Sequence, residues 1–292
     1  MRYAYYPGCA AKGSTPELDV ATKKVADILG IELVELQEAG CCGAKEIRAV
    51  NSRLDINLNA RILGLAERQG LDILTVCNTC LLTLAQANNR LRRNPELLEE
   101  TNVILSKIGL QYRGGVKVKH LLWILIDAIG LDKLKETVVT PLRGLRIAPF
   151  YGCHILRPKK DLGFEDPDQP NSLENVIRAL SGDPIEYVGR TKCCGFYVLL
   201  LNEKLTVSMI GRRLQEAKSV GADCMVTPCP LCHIALDMFQ KEAGELLGMK
   251  LDLPIFHLPQ LIGLAMGLTA KELQLGKHLV STDSVVRKVF AK

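Results

Sequence analysis

Aromatic residues make up 5% of this 292-residue chain, with one tryptophan, and no apolar run is long enough to cross a bilayer. A spanning helix needs about 20 predominantly apolar residues. The stretch from Leu121 to Ile129 is interrupted by Asp127, and that from Leu258 to Leu268 is too short. Charge of one sign is also scarce. The net charge is +5 and is spread along the chain, too weak a field to argue for nucleic acid. There is no G-x-G-x-x-G run, so the usual dinucleotide fingerprint is missing, and no flavin motif is evident. No secretory signal is visible, because the chain passes from Met1 into the strand-like Arg2–Tyr6. The expected compartment is the cytoplasm, where structural disulfides are uncommon.

Cysteine is what the chain has in excess. Ten of its eleven cysteines form one five-membered pattern written twice: Cys9, Cys41-Cys42 and Cys77-Asn78-Thr79-Cys80, then Cys153, Cys193-Cys194 and Cys229-Pro230-Leu231-Cys232. The adjacent pairs and the C-x-x-C runs repeat at an offset of 152 residues, whereas Cys153 follows Cys9 by 144, so eight extra residues lie between Cys153 and Cys193. Glycine follows each adjacent pair (Gly43, Gly195), and Arg2–Cys9 matches Arg146–Cys153 in length. Another matched pair of segments begins near Val118 and Ile255, aligning His120 with His257 and Gly130 with Gly267. Two copies indicate a duplicated domain rather than a solenoid. The boundary falls near 131–144, giving domains of residues 1–140 and 141–292.

Short β-like runs precede the cysteines: Arg2–Tyr6, Ile31–Leu36 and Ile73–Val76, then Arg146–Tyr151, Ile185–Val188 and Cys224–Thr227. Helical patterns separate them at Glu17–Leu29, Ile47–Gln69 and Leu81–Arg92, then Leu173–Leu180, Val198–Lys218 and His233–Leu247. Such alternation predicts an α/β fold of two duplicated domains, each a small parallel sheet with helices on both faces, related by a pseudo-twofold axis. Loops after parallel strands gather at one sheet edge, where five scattered cysteines can meet.

Five thiols exceed what one tetrahedral zinc ion takes. A dithiol redox centre at Cys77/Cys80 or Cys229/Cys232 leaves three cysteines per half without a role. Iron–sulfur ligation uses several thiolates and accounts best for the excess. The spacing C-x31-CCG-x33-C-x2-C followed by C-x39-CCG-x33-C-x2-C resembles the duplicated CCG cysteine-rich domain of the heterodisulfide reductase B-subunit family, over Arg2 to about Gly267. The run Tyr151-Gly-Cys153-His-Ile-Leu-Arg157-Pro158 also resembles the second half of that family's chains. The family's oxidation-system relatives often carry fused ferredoxin segments, and no C-x2-C-x2-C run exists here.

That resemblance implies two noncubane [4Fe–4S] clusters, one held by Cys9, Cys41, Cys42, Cys77 and Cys80 and the other by Cys153, Cys193, Cys194, Cys229 and Cys232. It implies a disulfide, of the coenzyme M–coenzyme B type or of another sulfur carrier, reduced or formed between them with one electron from each cluster. The implied partners belong to the same complex: a small iron–sulfur subunit that donates electrons, and the flavoprotein that feeds it. An electron-relay subunit of a dehydrogenase is the alternative.

Beyond the cysteines, His154 follows a cluster ligand and is a candidate proton donor. Arg157 and Lys45, with Lys159 and Lys192, lie beside the cysteine loops as candidates for binding an anionic thiol coenzyme. The polar segment 159–171 carries the extra length and reads as a surface loop, either a lid or a plain insertion. His120 and His257 are expected to cap helices or bond within the core. Cys224, without a counterpart in the first half, is expected to be a buried small hydrophobe.

Overall fold

The computed structural model describes residues 1–290. The first half runs β1 (Arg2–Tyr6), α1 (Gly8–Gly13), α2 (Pro16–Ile28), β2 (Glu32–Glu35), α3 (Glu46–Val50), α4 (Ser52–Arg68), β3 (Ile73–Thr75), α5 (Asn78–Arg93), α6 (Pro95–Ser106), β4 (Val118–His120), α7 (Leu121–Ile124) and α8 (Leu131–Glu136). A π-turn over Leu125–Ile129 extends α7. The second half runs β5 (Arg146–Pro149), α9 (Lys159–Leu162), α10 (Ser172–Ala179), β6 (Asp183–Pro184), α11 (Glu203–Ser219), β7 (Cys224–Thr227), α12 (Pro230–Met238), α13 (Gln240–Leu247), β8 (Ile255–His257), α14 (Leu258–Ala265) and α15 (Asp283–Phe290). Each half holds a four-stranded, all-parallel sheet, ordered β2-β1-β3-β4 and β6-β5-β7-β8. The duplicated α/β architecture expected from the sequence is the one observed.

Alternation along the central strands explains the layers. Tyr3 and Tyr5 of β1 enter one core, while Ala4 and Tyr6 enter the other. Successive strand residues face opposite sides, so burial on both faces requires helices on both. Both cores contain residues of both halves, and the one that takes Tyr3 and Tyr5 is built by exchanged helices. In it α2 of the first half packs on α14 of the second, and α7 packs on α10, so each half lends a helix to the other. Trp123 stacks on Phe164 across this boundary, ring centroids 4.9 Å apart.

Several local expectations need correction. The helix expected over Ile47–Gln69 breaks at Asn51, which is extended and accepts the N–H groups of Arg53 and Leu54 as the cap of α4. Asn202 caps α11 in the same way through Leu205, so that helix starts later than Val198. The helix expected over His233–Leu247 breaks at Phe239 into α12 and α13. The strand expected at Ile185–Val188 is displaced to Asp183–Pro184: pairing with β5 ends once the Ile185 N–H reaches the Ile147 carbonyl, and the chain then turns through a 3-10 segment toward Cys193. Sequence patterning assigned no strand at Val118–His120 or Ile255–His257, because three residues are too few to show alternation.

The candidate two-cluster cysteine site

The ligand candidates lie on the chain segments that leave the C-terminal ends of the strands, Cys41-Cys42 six residues past β2 and Cys193-Cys194 beyond the 3-10 segment that follows β6. Cys9 follows β1 and Cys153 follows β5, while Cys77 and Cys229 stand at the helix entrances after β3 and β7. Thr75 and Thr227 accept the N–H groups of Cys77 and Cys229 at 3.4 Å, the same turn made twice. Cys80 and Cys232 lie in the first turns of α5 and α12. There the neighbouring thiols and burial push both well above the ordinary thiol value, outweighing the helix N-termini. Asn59 of α4 donates to the Cys42 carbonyl, tying the adjacent pair to the sheet layer.

Close approach is built into the backbone. Gly8 and Gly152 have φ of +79° and +72°, and a Cβ at either would stand 2.8 Å from the sulfur of Cys80 or Cys232. Only glycine admits both that conformation and that proximity.

The five sulfurs of each half form a continuous row. Cys9 and Cys41 are 3.5 Å apart, as are Cys42 and Cys80. Interactions between Cys41 and Cys42, and between Cys80 and Cys77, complete the first row. The second row links Cys153, Cys193, Cys194, Cys232 and Cys229. Cys77 and Cys229 influence each other's proton affinity, so the two rows adjoin, near where Asn78 donates to the Tyr151 carbonyl. All ten are free thiols. Contacts of 3.5 Å are far beyond a disulfide's roughly 2.05 Å. They suit sulfurs that share a metal assembly, and the donor set fits iron–sulfur clusters.

Thiolate character is uneven along the rows. Cys41 is pushed down to about 2 by bonding from Cys42 and Cys9, helped by the Gly43 N–H at 3.4 Å. Cys193 is pushed down to about 2 by Cys153 and Cys194, helped by the Gly195 N–H at 3.3 Å. Cys229 is lowered despite burial, because Cys232 and Cys77 bond to it and backbone N–H groups of Cys232 and Asn78 face it.

The structure sorts the remaining candidates. His154 is 8% exposed, and its Nδ1 lies 2.9 Å from Thr79 Oγ1, which also accepts the Tyr197 hydroxyl at 3.1 Å. Burial and the nearby Lys45 charge hold its pKa at about 4. Lys45 and Tyr197 occupy equivalent positions 152 residues apart; the Tyr197 ring packs against His154, centroids 5.3 Å apart, and Lys45 acts on it through its charge. Arg157 donates to the carbonyls of Thr191 and Pro167 and to Asp168, so it anchors the insertion. Lys159 pairs with Asp166 inside the same loop, and Lys192 is exposed.

The insertion itself reaches the other half. Asp161 accepts from Gln86 at 2.7 Å, and its carbonyl accepts from Asn89, both on α5. The segment is therefore a clasp between halves, and a free-swinging lid is not what its contacts describe. His120 caps α7 by accepting the Leu122 N–H, and Cys224 is fully buried in β7, both as expected.

Sequence reasoning missed Asn78, Thr79 and Tyr197. Asn78 donates to the Tyr151 carbonyl at 2.8 Å across the halves, beside the Thr79–His154 contact. The signal was available: the first C-x-x-C encloses Asn-Thr where the second encloses Pro-Leu.

Comparison with known proteins agrees with this geometry. The family model for the cysteine-rich CCG domain matches twice, at residues 3–85 and 147–237. This chain belongs to the CCG cysteine-rich family, with the domain duplicated. It is 39% identical to the 8-methylmenaquinol:fumarate reductase membrane anchor subunit of Wolinella succinogenes, covering 97% of this chain and 98% of that one. It is 31% identical to the B subunit of the ferredoxin/F420H2-dependent CoB-CoM heterodisulfide reductase of Methanosarcina acetivorans, covering 99% and 97%. Its fold is similar to the crystal structure of a hypothetical protein from Helicobacter pylori, with a TM-score of 0.77 at 16% identity, covering 96% of this chain and 52% of that one. The CCG membership and the thiol rows make this an iron–sulfur protein of an oxidoreductase family. No helix among the described residues is long and apolar enough to cross a membrane.

Proposed function

We propose that this chain is the cytoplasmic catalytic component of a heterodisulfide reductase-type complex, with two noncubane [4Fe–4S] clusters reducing or forming a small disulfide between them. The observation that carries the reading is the junction of the two rows at Cys77 and Cys229. Breaking a disulfide takes two electrons and two protons and yields two thiols. Each bound cluster supplies one electron, so paired sites match the stoichiometry of the bond.

The chain's own residues do the rest. Each half's five cysteines hold the cluster, and the glycines at 8 and 152 let the backbone close on it. Lys45 places a cation beside His154, at a point suited to an anionic thiol. His154, with Thr79 and Tyr197, forms a buried polar seam that orients a sulfur leaving the broken bond. Exposed Val50, Leu200 and Leu201 lie near the two cysteine pairs in sequence and offer apolar contact to an iron–sulfur donor protein, itself fed by a flavoprotein.

A second reading, an electron-relay component of a dehydrogenase, is favoured by the 39% identity to a fumarate reductase chain. Anaerobic reconstitution separates them. The catalytic reading expects about eight iron and eight acid-labile sulfide per chain. It also expects a paramagnetic signal that changes when a thiol or disulfide is added. Absence of labile sulfide overturns both readings, and a signal indifferent to thiols and disulfides leaves the relay.

A further inference from the structure

The loops that carry Cys153 and Cys193 are joined by a buried hydrogen-bonded ring with no counterpart in the first half. Tyr151, two residues before Cys153, is fully buried. Its hydroxyl donates to Glu174 Oε2 and accepts the Leu173 N–H at 2.8 Å. Glu174 Oε1 accepts from the Arg190 guanidinium, and the same Arg190 nitrogen donates to the Pro170 carbonyl at 2.7 Å. The ring closes through the backbone, where the Tyr151 N–H donates to the Arg190 carbonyl at 2.9 Å. Arg190 stands three residues before Cys193, so one ligand loop is fixed against the other. The Tyr151 carbonyl accepts from Asn78 at 2.8 Å, which carries the ring on to the C-x-x-C turn of the first half.

In the first half Pro7 takes the place of Tyr151 and has no hydroxyl, while Glu38 takes that of Arg190. Glu38 pairs with Arg68 at the surface, where solvent screens both charges. The Glu174 and Arg190 side chains are 7% and 20% exposed. A pair so enclosed is screened little, and removing one partner leaves the other's charge uncompensated. Three residues of chain reach at most about 11 Å, so the Arg190 backbone lies that close to Cys193 or closer. Net charge nearby and the partners that hold the ligands both tune an iron–sulfur centre.

We propose that Tyr151, Glu174 and Arg190 are positioning residues for the second thiol row. They lock the Cys153 loop to the Cys193 loop, and the balanced charges of Glu174 and Arg190 set the reduction potential of the group those cysteines hold. The inference rests on the iron–sulfur reading. Reduction adds negative charge there, so an uncompensated Arg190 cation favours the reduced state and an uncompensated Glu174 carboxylate opposes it.

The test is a redox titration of the anaerobically iron-loaded full chain, followed by visible absorbance and electron paramagnetic resonance. In Glu174→Gln one midpoint potential should move upward, and in Arg190→Gln the same midpoint should move downward, the other midpoint staying in place in both. A loss of packing alone would not give shifts of opposite sign. Shifts of one sign, no shift, or equal movement of both midpoints overturns the proposal. Should the charge variants fail to fold, Tyr151→Phe decides instead, since it removes only the hydroxyl. Its paramagnetic spectrum should change for one cluster and not the other, and an unaltered spectrum overturns the proposal. Missing labile sulfide in the unaltered protein would instead remove the iron–sulfur reading, and the proposal with it.

Discussion

The two halves carry the same five cysteines on the same strand ends, yet they differ in how far those cysteines are shielded. In the first half Cys9 and Cys41 are exposed, and a surface cleft lined also by Lys12 and Glu35 opens onto them. Their counterparts Cys153 and Cys193 are only partly exposed. The eight-residue insertion lies in the second half, where Arg157 ties it to Thr191, two residues before Cys193, and Asp161 fastens it to α5. Duplication thus kept the ligand set on matching strand ends while leaving the two rows unequally exposed. Hydrogen bonds at the junction are unequal too. Asn78 and Thr79 of the first half reach into the second, and Pro230 and Leu231 have no side-chain donor with which to answer.

The strongest way to break the comparison is to remove one row. Cys194→Ser should cut iron and sulfide per chain to about half on anaerobic reconstitution while the first half keeps its cluster. Equal loss from both halves would show that the junction at Cys77 and Cys229 makes the rows a single unit. Next in size is a backbone substitution. Gly152→Ala should destabilise the protein by about 1–3 kcal/mol in denaturant unfolding, because a non-glycine residue at positive φ is strained. It should also lower iron retention, since the new Cβ presses on Cys232. Gly8→Ala should do the same to the first row, and an innocuous outcome in either would disprove the close-approach argument.

Unequal shielding predicts an order of loss. Under a slow iron chelator the signal of the first cluster should fade before that of the second, followed by electron paramagnetic resonance. Asp161→Ala should narrow the gap, costing about 1 kcal/mol of stability for the lost clasp. An unchanged order and gap would mean that the insertion does not govern access. The smallest difference concerns the helix caps. Asn51 accepts two N–H groups and Asn202 one, so Asn51→Ala should cost more than Asn202→Ala, within the range of about 0.5–2 kcal/mol for cap removal. Thermal unfolding of the two variants, side by side, checks the ranking.

Much of the cysteine site was legible in the chain, because ligand spacing and strand order are one-dimensional. The repeat at 152 residues, the glycines after each pair and the alternation of strands and helices were enough to place ten thiols at two sheet edges. Cys224 and the helix-starting role of His120 were read correctly for a related reason: burial follows the strand pattern, and a histidine entering an apolar helix is positioned to cap it. The bonds of Arg157 to the Thr191 and Pro167 carbonyls were not legible, because a charge beside a cysteine loop looks the same in sequence whether it faces a ligand or a neighbouring carbonyl.

What only the tertiary structure decided is how the halves meet. The mutual influence of Cys77 and Cys229, the Thr79–His154–Tyr197 seam, the exchange of α7 and α14, and the approach of Glu17 to His257 all join residues far apart in the chain. Local periodicity carries no information about such pairs. They arise because each half leaves an apolar helix that it cannot bury alone, and covering those two helices brings the opposing loops together.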